Sequence, residues 1–259
     1  MLQLSPFISA YIIFLTALLG LAMGSFLGCA ASRMAKGESA LKGRSHCDFC
    51  GHVLSAGDLI PVFSWLFSGG RCRYCHEKLP VGYVVEELVC AAVYVSVLLR
   101  FDVSWEALMW LGLLSPLFAA SLVDLEIQLI PDRFLAIPAV AFFPLAYLCG
   151  GPPLLLRGLI GAAALFLPML GLVLLYDRRA GKESMGGGDL KLIALLGLYF
   201  GWKQGLLLMI VACVFGLLFA GLRRAKKGAA IPFGPALSAA AWFTVIFGDG
   251  ILNWYLGLF

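Results

Sequence analysis

The sequence predicts an all-α, polytopic integral membrane protein of about eight transmembrane helices, with a small zinc-bound cytoplasmic loop subdomain. Three observations predict it. Hydrophobic residues make up 61% of the 259-residue chain and charged residues only 13%, against roughly 25% charged in a soluble domain. Apolar runs recur at close to the ~20 residues that a helix needs to cross a bilayer. The Lys and Arg residues gather in alternate loops, which is the asymmetry that sets membrane orientation.

The runs, in order, are Phe7 to Ala31, Val81 to Leu99, Trp105 to Val123, Phe134 to Cys149, Leu154 to Tyr176, Leu190 to Phe200, Gly205 to Leu222 and Phe233 to Phe259. No Lys or Arg precedes the first run and it is longer than a signal-peptide core, so it is expected to stay as a span. Gly24-Ser25-Phe26 near its end offers small residues against which a neighbouring helix packs closely. The sixth run is short and the eighth is interrupted by Gly248-Asp249-Gly250, so the count is eight give or take one.

With the chain alternating sides from an outer amino terminus, the cytoplasmic loops receive sixteen of the nineteen basic residues. These are Arg33, Lys36, Lys42, Arg44, Arg71, Arg73, Lys78, Arg133, Arg178, Arg179, Lys182, Lys191, Arg223, Arg224, Lys226 and Lys227. Only Arg100, Arg157 and Lys203 fall on the other side. Both termini are therefore expected to face away from the cytoplasm. The net charge of +4 is explained by topology in a lipid bilayer and calls for no nucleic-acid partner.

The chain divides into a first transmembrane helix (1–31), a hydrophilic cytoplasmic segment (32–80) and a transmembrane core (81–259). A segment of fewer than fifty residues buries too little apolar surface to fold on its own core and needs a staple. Cys47-Asp48-Phe49-Cys50 and Cys72-Arg73-Tyr74-Cys75, separated by 21 residues, have the spacing of a four-cysteine zinc site. Cytoplasmic thiols stay reduced, which favours a metal over disulfides. Four protein ligands close the coordination shell, so this zinc is structural. His46, His52 and His76 flank the cysteines and are read as surface histidines. Cys29, Cys90, Cys149 and Cys213 lie in apolar runs and are read as small hydrophobes.

Asp124 ends the third run and Asp189 follows Gly186-Gly187-Gly188 at the entry to the sixth. On the predicted topology both lie at the cytoplasmic boundary. A carboxylate at membrane depth costs several kcal/mol unless it lines a polar cavity. The consecutive glycines let the main chain approach another segment or an extended substrate. Two carboxylates brought together hold one proton between them, and that is equipment for peptide hydrolysis. The ionised partner takes a proton from water while the protonated one donates to the developing oxyanion. Taken singly, an aspartate at a membrane interface is usually a helix N-cap or a solvated loop residue: Asp132 after Pro131 reads as the cap of the fourth span, and Asp189 fits a cap of the sixth in the same manner. Lys191 reads as an anchor at the membrane surface.

These motifs together resemble the type IV prepilin peptidase family of GxGD membrane aspartyl proteases. The likeness runs over nearly the whole chain: Gly24-Ser25-Phe26-Leu27, Gly70-Arg71-Cys72-Arg73-Tyr74-Cys75, the aspartate upstream of Ile130-Pro131-Asp132, Met185 to Leu192, and Ile231-Pro232-Phe233-Gly234-Pro235. The resemblance implies a bacterial inner-membrane protease that cuts the short basic leader from prepilins or type II secretion pseudopilins at the cytoplasmic face. It implies N-methylation of the new amino terminus from S-adenosylmethionine in many members. It puts Asp124 and Asp189 in the catalytic positions, with Gly186, Gly187 and Gly188 as their loop, and Cys47, Cys50, Cys72 and Cys75 on the metal. Glu87, with Gly24 and Ser25, becomes a candidate contact to substrate or methyl donor. The chain departs from the family pattern at Gly28, where an asparagine is common, and at Tyr83-Val84-Val85-Glu86-Glu87. The missing asparagine bears on methylation more than on proteolysis, which leaves a peptidase without methyl transfer as an alternative. A membrane thiol oxidoreductase fits poorly, because the cysteine pairs fall on the reducing side. An ion transporter leaves the zinc loop without a role and lacks the expected repeat.

Overall fold

The computed structural model describes residues 5–39, 43–181, 185–222 and 232–258. Lys42, Lys182, Arg223, Arg224, Lys226, Lys227, Ile231 and Phe259 of the sequence analysis lie outside the described residues. Among the described residues there is no strand, and six helices are long and apolar enough to cross a membrane. The chain divides into two compact units, Met1–Asp102 and Val103–Phe259.

The first unit holds α1 (Pro6–Ala35), a short α2 (Phe63–Phe67) and α3 (Gly82–Phe101). Glycines at four-residue intervals give α1 a flat face. A methyl group on Gly20 would lie 2.6 Å from Ala91 Cα, and one on Gly24 2.7 Å from Glu87 Cα, so the α3 backbone rests directly on both. Gly24 thus serves as the packing position its surroundings predicted. At 30 residues α1 runs about 45 Å, longer than the ~30 Å hydrocarbon core, and its last turn reaches the hydrophilic loop. There the Arg33 guanidinium donates to the carbonyls of Gly43 (3.4 Å) and Arg44 (2.8 Å), and Lys36 pairs with Asp48. Tyr83 of α3 donates to the same Asp48 at 3.1 Å, tying the loop to both helices.

The second unit is built of α4 (Trp105–Ile127), α5 (Asp132–Ala180), α6 (Gly187–Leu222) and α7 (Gly234–Leu256). Run straight, the 49 residues of α5 would extend about 74 Å. Instead the chain turns back at Gly151 (φ 65°, ψ −157°), a conformation that favours glycine. A methyl on Gly158 would lie 2.6 Å from Phe142 Cζ, whereas sixteen residues of straight helix span about 24 Å. α6 breaks in the same way at Gly201 (φ 67°, ψ −178°). Gly188 near its start faces Ile130 and Gly216 near its end faces Phe233, so both ends return to the same side of the unit. The two reversals turn six continuous helices into eight helical legs, and the leg 187–200 is short, as its apolar run is. At the centre, the rings of Phe142 and Tyr199 pack at a tilt with centroids 5.0 Å apart, as do those of Trp110 and Phe200. The buried Tyr199 hydroxyl donates to the Pro138 carbonyl at 2.8 Å, which keeps its polar end satisfied.

Candidate active site and metal centre

Asp124 sits in the last turn of α4, which ends at Gln128 in a left-handed conformation (φ 55°). Its side chain is buried, with 5% exposure. The Asp124 Oδ2 accepts a hydrogen bond of 2.9 Å from the Gly234 N–H. Gly234 is the first residue of α7, so the carboxylate faces an unsatisfied amide at the positive end of a helix. A methyl on Gly234 would stand 2.7 Å from the same oxygen, and only glycine leaves room. Gly234 is therefore a site residue whose role sequence reasoning missed. Its signal was present in Pro232-Phe233-Gly234-Pro235, but nothing in that run names the aspartate it meets.

Asp189 is half-buried in the first turn of α6, inside the helix and not at its cap. It lies close enough to Asp124 for the charge of one to act on the other. A methyl on Gly186 would lie 3.6 Å from Asp189 Oδ2. Gly188 packs on Ile130, with 3.1 Å from a methyl at that position to the Ile130 Cβ, while Gly187 meets nothing within 4 Å. The glycines thus let the loop press against the segment following α4. Asp132 differs from the expected cap: Pro131 holds the cap position, and Asp132 is the first helical residue, paired with Lys191 at 2.7 Å. Proline has no side-chain oxygen to cap with, so the carboxylate one residue later is left to meet the Lys191 ammonium between the first turns of α5 and α6. That pair is exposed on both sides, and its contribution to stability is small.

In the first unit the Sγ atoms of Cys47, Cys50, Cys72 and Cys75 all lie within 4.8 Å of one another. Cys47 and Cys75 are 3.9 Å apart, where sulfurs about 2.3 Å from a tetrahedral zinc stand about 3.8 Å from each other. Two matched turns make this geometry. The Cys47 N–H donates to His52 C=O and the Cys72 N–H to Glu77 C=O, both at 2.9 Å. The residue after each second cysteine takes positive φ, Gly51 at 69° and His76 at 59°. Backbone amides of Cys75 and Tyr74 aimed at the Cys72 sulfur outweigh its burial and bring that thiol down to about 7, whereas at Cys75 the pull of the Glu77 amide is outweighed by desolvation and the crowding of the other sulfurs, which push that thiol up to about 12. The histidines are not in the cluster, and His52 instead stacks on Tyr74 at 3.6 Å. Beside the cluster, hydrogen bonds from Ser55, joined by Tyr74 and Arg73, hold the Asp58 carboxyl below the usual range.

Between this loop and the ends of α1 and α3 lies a cavity of about 570 Å³. Gly24, Ser25, Glu87, Trp65, Tyr74 and Tyr83 are among its lining. Gly24, Ser25 and Glu87 thus belong with the cysteines in the first unit. Glu87 is 8% exposed, and its Oε2 accepts 2.7 Å from the Val62 N–H. Position 28 is filled from α3: a methyl on Gly28 would lie 2.5 Å from Glu86 Oε2.

A family model described as the bacterial peptidase A24 N-terminal domain matches residues 18–101, and one described as the type IV leader peptidase family matches 111–221. The gap between them falls at the boundary of the two compact units. A prepilin leader peptidase/N-methyltransferase of Aeromonas salmonicida (strain A449) is 37% identical over 217 residues, covering 82% of this chain and 74% of the relative. Proteins of the same description from Pseudomonas aeruginosa and Bacillus subtilis are 34% identical over 268 residues and 31% identical over 243. The first covers 93% of this chain and 92% of the relative, the second 92% and 95%. No solved structure gives a significant match.

Proposed function

The chain belongs to the type IV leader peptidase family, and from that membership we propose that it removes the leader from type IV prepilins or type II secretion pseudopilins and then methylates the new amino terminus. The observation that carries the proteolytic reading is a buried Asp124 held by the Gly234 N–H within electrostatic reach of Asp189. The two carboxylates share one proton. The ionised member draws a proton from the attacking water, and the protonated member donates to the carbonyl oxygen as it gains charge. These events belong to the pair and not to one residue each. The Gly234 amide fixes the direction of one carboxylate, and the glycines at 186 to 188 leave room for an extended substrate backbone.

The enzyme works at the bacterial inner membrane with both termini outside the cytoplasm and the carboxylates at the cytoplasmic face. Leader removal then takes place where a membrane-inserted prepilin still exposes its basic flank. Zinc fits the four sulfurs by donor type and spacing, and would hold the loop closed without touching substrate. S-adenosylmethionine fits the cavity of the first unit, whose size lies within the ~300–1,000 Å³ of small-molecule sites. Trp65, Tyr74 and Tyr83 supply ring faces for an adenine, and carboxylates of the lining suit an ammonium group. The group supplies an activated methyl, and the chain's part is to bind and orient it. A second reading, cleavage without methylation, is favoured by one observation: the Glu86 carboxylate occupies the space over Gly28.

The test is to incubate the purified protein with a prepilin, with and without S-adenosylmethionine, and to measure product mass. Leader loss in both arms and a further methyl increment in one are expected. An intact prepilin in both arms overturns the proteolytic reading, and cleavage without the increment selects the second one.

A further inference from the structure

The sharpest backbone feature of the first unit is at Val62, where φ is 62° and ψ is −53°. A β-branched residue at positive φ is a genuine outlier. The Phe63 N–H closes back on the Pro61 carbonyl at 2.6 Å, which makes this a γ-turn of the rare, strained hand. Such a turn leaves the amide of its central residue without a backbone partner. The Val62 N–H finds one 25 residues away, in Glu87 Oε2 at 2.7 Å. Strained backbone persists only where its surroundings over-determine it, and here the determinant is a buried carboxylate on α3.

The carboxylate cannot drift. Glu87 is 8% exposed, and its Cα lies under Gly24 of α1, one of the two glycines at which the α3 backbone rests directly on α1. From this fixed point the turn leads straight into α2, which carries Ser64 and Trp65 into the cavity wall beside Pro61. The Trp65 Nε1 in turn reaches the Leu79 carbonyl at 3.4 Å, so the wall is held at both ends.

We propose that Glu87 is a positioning residue: its carboxylate locks the Pro61–Val62–Phe63 turn and through it sets the wall of the cavity that bears Trp65. Its effect on the methyl donor rests on the assignment of that cavity under Proposed function, whereas its effect on the turn does not. What the turn needs is an acceptor oxygen in one place, which glutamine also offers. A ligand contact to a cationic group would need the negative charge, which glutamine lacks.

The experiment compares wild type, Glu87→Gln and Glu87→Ala by hydrogen exchange over residues 59–67 of the full chain in detergent. Binding of S-adenosylmethionine to the same samples is followed by calorimetry. Circular dichroism and gel filtration check the fold. Exchange and dissociation constant are expected to stay within threefold for Glu87→Gln, and each to rise at least tenfold for Glu87→Ala. Adding Val62→Gly to Glu87→Ala should recover part of the affinity, because glycine adopts the turn without strain. Unchanged exchange in Glu87→Ala overturns the proposal. So does Glu87→Gln behaving like Glu87→Ala, which would make the charge the operative property. Exchange in the expected order with no binding by wild type upholds the turn lock and instead removes the cavity as the donor site.

Discussion

Replacing Gly234 with alanine is expected to cripple leader cleavage while leaving the helices in place. The added methyl would stand 2.7 Å from Asp124 Oδ2 and 3.2 Å from its Cγ. Ordinary contact needs about 3.5 Å, so the carboxylate or the start of α7 must retreat by roughly 0.8 Å. That retreat also stretches the 2.9 Å hydrogen bond from the Gly234 amide. A hydrogen bond to a charged group contributes about 1.5–3 kcal/mol, and a misplacement near 1 Å costs on the order of 10²-fold in rate. The two routes agree on a fall of about 10- to 100-fold in kcat/KM, carried mainly by kcat because the prepilin's own contacts are untouched. The assay is cleavage of a purified prepilin in proteoliposomes, with product followed by mass. Gly250→Ala in the same helix is the control, since a methyl there meets nothing within 4 Å. Gly234→Ala cleaving within threefold of wild type would refute the reasoning.

Asp124→Asn keeps an oxygen to accept the Gly234 amide, so the chain should still insert while cleavage drops to background; Asp189→Asn should do the same, both read by product mass. Cys72→Ser, or a strong chelator on the wild type, should remove about one equivalent of zinc per chain by elemental analysis and open residues 43–80 to protease. Gly51→Ala should weaken zinc retention by about 1–2 kcal/mol in a competition titration, because Gly51 holds φ of 69°. His76→Gly, at φ of 59° in the matching turn, should not weaken it. Gly24→Val should cost about 1–3 kcal/mol of thermal stability in detergent, since the 2.7 Å contact is to backbone of α3, which cannot rotate away.

The clustering of the four cysteines was legible because its chemistry is local. A CxxC turn is set by a few neighbouring residues, and the spacing of the two pairs announces four thiols on one ion. The apolar runs were legible too, since the bilayer imposes a length on each helix whatever it packs against. They even carried the reversals at Gly151 and Gly201, which fall in the gaps between runs. Asp124 and Asp189 stood out by cost alone, as carboxylates where hydrocarbon is expected.

Gly234 shows where this ends. Its spacing to Asp124 is 110 residues, and nothing local distinguishes a glycine that must admit an oxygen from one that merely opens a helix. Glu87 is the same case: its charge was visible, but its partner is the amide of Val62, and amides leave no mark in a sequence. Amino-acid order by itself determined the membrane class, the span pattern, the gathering of the four cysteines and the two acidic residues, because burial cost and thiol chemistry belong to residue types. Only the tertiary structure decided which backbone groups hold those carboxylates and how closely helices meet at glycines, because such contacts join distant segments through atoms every residue shares.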